Sequence, residues 1–105
     1  MKLYALYLGG RASRCNIELH DVIFAVGSSL KSLYPTVLDK WFGLKDKCHI
    51  DSWMTLKQID NHAITLSQSP PSNQTASLYF INMGAYQPGE FTELHASAFI
   101  VATSP

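Results

Sequence analysis

Charge is scarce in this sequence. Acidic and basic residues together make up 15% of it, eight of each sign, and they cancel. A balanced chain with no basic stripe does not bind nucleic acid by neutralising phosphates. Lys40, Lys45 and Lys47 lie close together, but three lysines in a short stretch read as a solvated loop. Long apolar runs are also missing. Apolar runs such as Leu3–Leu8 and Val22–Val26 are short, whereas a bilayer-spanning helix needs about 20 residues. The two cysteines, Cys15 and Cys48, form no CxxC pair. Free thiols in a reducing cytoplasm are the preferred reading, with a Cys15–Cys48 bridge the alternative. Asn73-Gln74-Thr75 matches a glycosylation sequon, but nothing else in the chain supports a secreted setting. Met1-Lys2 followed by Leu3–Leu8 imitates a short signal peptide. The segment recurs inside the chain at Leu78–Met83, and a stretch used twice is structure rather than an address.

What the chain does have is an internal repeat. Residues 3–27 lie over residues 78–102 at a constant offset of 75 without a gap. Leu3, Tyr4, Gly9, Glu18, Leu19, His20, Phe24 and Val26 are identical to Leu78, Tyr79, Gly84, Glu93, Leu94, His95, Phe99 and Val101. Eight identities in 25 positions compare with about two expected by chance, so the repeat governs the reading. The chain reads as one domain over 1–105. Residues 1–66 form a complete ββαββ unit, 67–77 form a linker, and 78–105 are the ββ start of a second, truncated copy.

The pattern supports that order. Leu3–Leu8, closed by Gly9-Gly10, reads as a buried strand with a tight turn or an anion-cradling nest after it. Ile17–Val26 reads as a second strand, with Ile17 and Leu19 on one face and Glu18 and His20 on the other. Leu30, Leu33, Tyr34, Val37, Leu38, Trp41 and Phe42 then recur at three and four, the stripe of an amphipathic helix. Pro35 inside one long helix would cost about 3 kcal/mol. The preferred reading is a separate turn over Ser28–Leu33 and a short helix that Pro35 opens. Gly43 is expected to end that helix, and Tyr34, Trp41 and Phe42 are expected in the core. His49–Ile59 has strand character, Asp60-Asn61-His62 is turn chemistry, and Ala63–Leu66 is the return strand of a hairpin. Ser67–Ser77 is polar, with two prolines. The fold class is α+β, a largely antiparallel sheet with one helix on a face.

Tyr7-Leu8-Gly9-Gly10, Asn16-Ile17-Glu18-Leu19-His20-Asp21, Trp41-Phe42-Gly43 and His49-Ile50-Asp51-Ser52 together resemble a bacterial family, domain of unknown function 1543. Asn82-Met83-Gly84, Pro88-Gly89-Glu90-Phe91 and Glu93-Leu94-His95 resemble that family's second copy, with Ala85 in place of the second glycine. The resemblance implies the fold but no reaction, and it transfers no catalytic residue and no cofactor.

Chemistry is concentrated in Glu-Leu-His, which occurs at 18–20 and again at 93–95. On a strand, residues i and i+2 share a face about 6.6 Å apart. A carboxylate beside an imidazole holds its tautomer and supports its charged form, as a general acid–base pair requires. Glu18, His20, Glu93 and His95 are therefore the catalytic candidates. The competing reading is structural: each Glu accepts backbone N–H groups and each His is a satisfied polar residue. His49 and Asp51 share a face in the same way and are binding candidates. Arg11 beside the Gly pair is a further binding candidate, as an anion partner. No spacing matches a metal motif, and no metal site or cofactor is assigned. The sparse charge and the unpaired strand edges of the partial repeat lead us to expect a homodimer through a sheet edge or exchanged tail strands. A small-molecule ligand is the alternative partner. The two functional expectations are a non-catalytic oligomeric module and an enzyme on a small metabolite.

Overall fold

The computed structural model describes residues 1–70, 73 and 75–105. These residues form two compact units, Met1–Lys57 and Gln58–Pro105. The class is α+β, with antiparallel strand pairing throughout.

In the first unit, β1 (Lys2–Gly10) is the central strand between β2 (Leu19–Gly27) and β3 (His49–Thr55). The even positions Tyr4, Leu6 and Leu8 of β1 are buried with Ile23 and Ala25 of β2. Against them pack Leu33, Val37 and Trp41, with Leu19, Leu30, Cys48 and Ile50 at the margin. Leu6 and Leu8 are fully buried. At roughly 25 cal/mol per Å² this one-sided packing is the main force holding the helix to the sheet.

The helix follows the expected division. A 3₁₀ turn at Lys31–Leu33 precedes α1 (Tyr34–Lys40), with Pro35 in its first turn, where a missing N–H costs nothing. Paired Ser29 and Ser32 hydroxyls close the turn before it. The stripe at i, i+4 is Leu33, Val37 and Trp41. The helix ends at Lys40, before Gly43, because Trp41 turns extended and its indole enters the core. Of the three aromatics expected there, only Trp41 is buried. Tyr34 and Phe42 are exposed, as is Leu38 of the same expected stripe: Tyr34 and Leu38 each follow a buried stripe residue and so turn away, and Phe42 lies past the helix end. Phe42 keeps a tilted contact with the Trp41 ring at 4.6 Å between centroids.

Two other expectations change. β2 begins at Leu19, so Ile17 and Glu18 precede the strand, and Ile17 is 74% exposed. Gly9 and Gly10 form neither a turn nor a nest: both are strand residues of β1, and neither has positive φ.

In the second unit, β4 (Gln58–Ile59) and β5 (His62–Ala63) form a short hairpin. Asp60 and Asn61 at its tip have φ of 50° and 62°, the left-handed pair a two-residue turn requires. The return strand is therefore shorter than Ala63–Leu66 and begins one residue earlier. The Asp60 carboxylate accepts the Val101 N–H at 2.8 Å. β6 (Ser77–Ala85) and β7 (Leu94–Ala102) form the other sheet, with Phe80 against Phe99 at 5.3 Å. Of the linker expected over 67–77, Pro71, Ser72 and Gln74 lie outside the described residues, as does the middle of the sequon.

The repeat holds in the backbone. The bounds of β6 and β7 are those of β1 and β2 moved by 75, and so is the register. Gly9 faces His20, and Gly84 faces His95.

Candidate functional site

The first unit brings four titratable side chains together at one end of its sheet. Gly9 on the central strand lies opposite His20 of β2 on one side and His49 of β3 on the other. Cross-strand partners share a face, so this row reads His, Gly, His. The β1–β3 register shifts between Tyr7 and Leu8: Tyr7 pairs with Ser52 and Leu8 with Ile50, leaving Asp51 as the extra residue of a bulge. Had Asp51 instead paired with Leu8 in unbroken register, His49 would fall opposite Gly10. The bulge re-aims it into the row with His20, a use of bulges common at sites.

Glycine at position 9 makes room for the side chains that meet there. A Cβ would lie 2.6 Å from Asp51 Oδ2 and 2.8 Å from His49 Nε2, and it would collide with Glu18 Oε1. The four groups close a ring. His49 Nε2 lies 3.0 Å from Glu18 Oε1 and 2.8 Å from Asp51 Oδ1. His20 Nε2 lies 3.4 Å from Glu18 Oε1 and 3.4 Å from Asp51 Oδ2. Carboxylates only accept hydrogen bonds, so the His49 Nε2 bonded to Glu18 carries hydrogen, whereas His20 Nε2, at 3.4 Å from each carboxylate, makes no such bond. In the neutral His49 ring that leaves Nδ1 bare. The Tyr7 ring stacks on His20 at 5.1 Å and 22°, fixing its plane.

The ring is open to solvent. Side-chain exposures are 41% for His20, 43% for Glu18, 52% for His49 and 32% for Asp51. No described backbone N–H donates to Glu18, and its partners are the two imidazoles. The ligand atoms of Glu18, His20 and Asp51 all lie within 4.8 Å of one another.

The sequence candidates sort accordingly. Glu18, His20, His49 and Asp51 converge. Arg11 stands past the end of β1, where its carbonyl accepts the Leu44 N–H at 2.7 Å, and among the described residues no ion pair links its side chain to the four. In the second unit, His95 Nε2 lies 3.1 Å from Glu93 Oε2, and Gly84 is again the residue whose Cβ would strike that carboxylate. Sequence reading missed the union of 18–20 with 49–51, because the two segments are 31 residues apart and the bulge that aligns them leaves no sequence signature. It also missed why Gly9 and Gly84 coincide with the two Glu-Leu-His motifs, although their equal spacing was visible.

Beside the cluster, burial pushes the Cys48 thiol above its ordinary 9.0. Asp51 adds to the rise, and Lys45 opposes it. Both cysteines are free. No helix among the described residues is long and apolar enough to cross a membrane.

The crystal structure of a protein Il1583 from Idiomarina loihiensis is similar, at 38% identity and a TM-score of 0.81. The match covers 99% of this chain and 64% of that one, so the chain spans less than two thirds of that protein. No curated protein matches at a significant level. The family model described as Domain of Unknown Function (DUF1543) matches residues 15–66. The segment that supplies Glu18, His20, His49 and Asp51 thus belongs to the DUF1543 family.

Proposed function

We propose that the first unit binds a small polar metabolite at the Glu18–His20–Asp51–His49 ring and moves a proton on it. One observation carries this reading: each imidazole Nε2 faces two carboxylate oxygens. Glu18 holds the His49 ring in one tautomer, and the two carboxylates together orient both rings for proton transfer. Glu18 and Asp51 orient, while His20 and His49 exchange the proton. This is the enzyme expectation, which set Glu93 and His95 of the repeat beside Glu18 and His20, with His49 and Asp51 now taken as the partners of that pair. Glu93 and His95 form a simpler version in the second unit. The free thiols fit a reducing compartment such as the cytoplasm.

The test is a ligand-observed NMR screen of small polar metabolites against the wild-type chain and His20→Ala. The reading expects hits that vanish in the variant. Hits that persist unchanged remove it.

A second reading concerns assembly. Among the described strands, β6 and β7 pair only with each other, and a two-stranded sheet is marginal alone. We propose a homodimer formed by pairing along this sheet's edge. Light scattering at micromolar concentration should give twice the chain mass, and a strict monomer contradicts it.

A further inference from the structure

We propose that the ring is also a divalent-cation site, with Glu18, His20 and Asp51 as ligands and zinc-like ions as the class it takes. This deepens the reading above and rests on its placing of these groups in one site. His20 Nε2 stands 3.4 Å from an oxygen of each carboxylate. An ion about 2.0–2.2 Å from each ligand sets neighbouring ligand atoms about 3.3–3.6 Å apart in a tetrahedron. Those two distances are therefore already near the edges such an ion needs. One imidazole with two carboxylates suits zinc, manganese or iron, whereas calcium and magnesium prefer oxygen alone.

Asp51 divides its two oxygens. Oδ2 turns to His20, and Oδ1 turns to His49 at 2.8 Å. His49 also meets Glu18 at 3.0 Å. That is the position of a residue that orients ligating carboxylates from outside, so His49 is a positioning residue. Gly9 beneath adds no atom beyond Cα, which leaves room for the tips of Glu18 and Asp51. Three protein ligands leave one coordination position for water or for an anionic or carbonyl oxygen of a bound metabolite. The second unit is an internal control. Glu93 and His95 meet there as two donors, and no third joins them among the described residues.

The experiment is calorimetric titration of the EDTA-treated full chain with Zn²⁺, then with Co²⁺. The expected result is one ion per chain. Asp51→Asn and His20→Ala should each weaken Zn²⁺ binding more than tenfold, and His49→Gln about tenfold. Glu93→Gln should change nothing. Circular dichroism verifies folding of each variant. Asp51→Asn keeps side-chain volume and serves if His20→Ala unfolds. Wild-type binding no tighter than that of Asp51→Asn overturns the proposal, as does loss of the ion in Glu93→Gln. Metabolite hits measured in EDTA separate the two ideas. Hits with no zinc binding sink the cation site alone, and loss of both sinks the site itself.

Discussion

His49 Nε2 and Glu18 Oε1 meet at 3.0 Å although His49 lies on β3 and Glu18 just ahead of β2, on opposite sides of β1. They reach each other because Gly9, the β1 residue between them, has no side chain to part them. That contact ties two segments of the chain into one site, and the predictions below follow from it.

Gly9→Ala should separate site from stability. The added methyl displaces the tips of Glu18, Asp51 and His49, all ends of flexible side chains. Alanine also lowers the backbone entropy cost by about 0.5–1 kcal/mol. The unfolding midpoint in urea should therefore stay within about 1 kcal/mol of wild type, while ligand binding at the ring falls more than tenfold. A variant that unfolds yet binds normally when folded contradicts this.

Leu6→Ala should do the opposite. Leu6 is fully buried on the helix side of β1. Its truncation leaves a cavity and should cost about 2–5 kcal/mol in denaturant unfolding. Ile17→Ala, at an exposed site, should cost under about 0.5 kcal/mol.

Much of this division was legible beforehand. Leu33, Val37 and Trp41 at spacing of four announced the buried stripe, and Pro35 announced where α1 starts. The equal spacing of Gly, Glu and His in the two copies announced two hairpins of one design. Tyr34, Leu38 and Phe42 misled, because they recur at three and four beside Leu33, Val37 and Trp41, and periodicity alone does not tell which edge of a wide apolar stripe meets the sheet. The union of Glu18 and His20 with His49 and Asp51 was not legible. It depends on which strand lies beside β1 and on one inserted residue in β3, both settled by long-range pairing rather than by local pattern.

Asp51→Asn should leave the fold intact. The ring's ion pairs are a third to a half exposed, where such pairs contribute about 0–1 kcal/mol. Thermal unfolding should move little, whereas metabolite binding should fall at least tenfold. A large stability loss with binding preserved would assign the cluster a structural role.

Cys48 gives a pH prediction. Its thiol ionises above the ordinary 9.0, chiefly because it is partly buried. The folded state therefore holds its proton when the unfolded state releases it. Stability is unaffected below that pH and falls as pH rises past it. Urea midpoints at about pH 8 and about pH 10 should differ more for wild type than for Cys48→Ala. Alkylation of Cys48 near neutral pH should be slow in the folded protein, and equal rates for folded and unfolded chains would contradict the assignment.

The most direct test is a long-range ¹H–¹⁵N spectrum of the imidazole nitrogens in wild type, Glu18→Gln and Asp51→Asn. Because both carboxylates touch both rings, each substitution should move the Nε2 signals of His20 and His49 together, and the His62 signals should stay in place. Signals of only one ring moving, or of neither, would mean that the four groups do not form a single site.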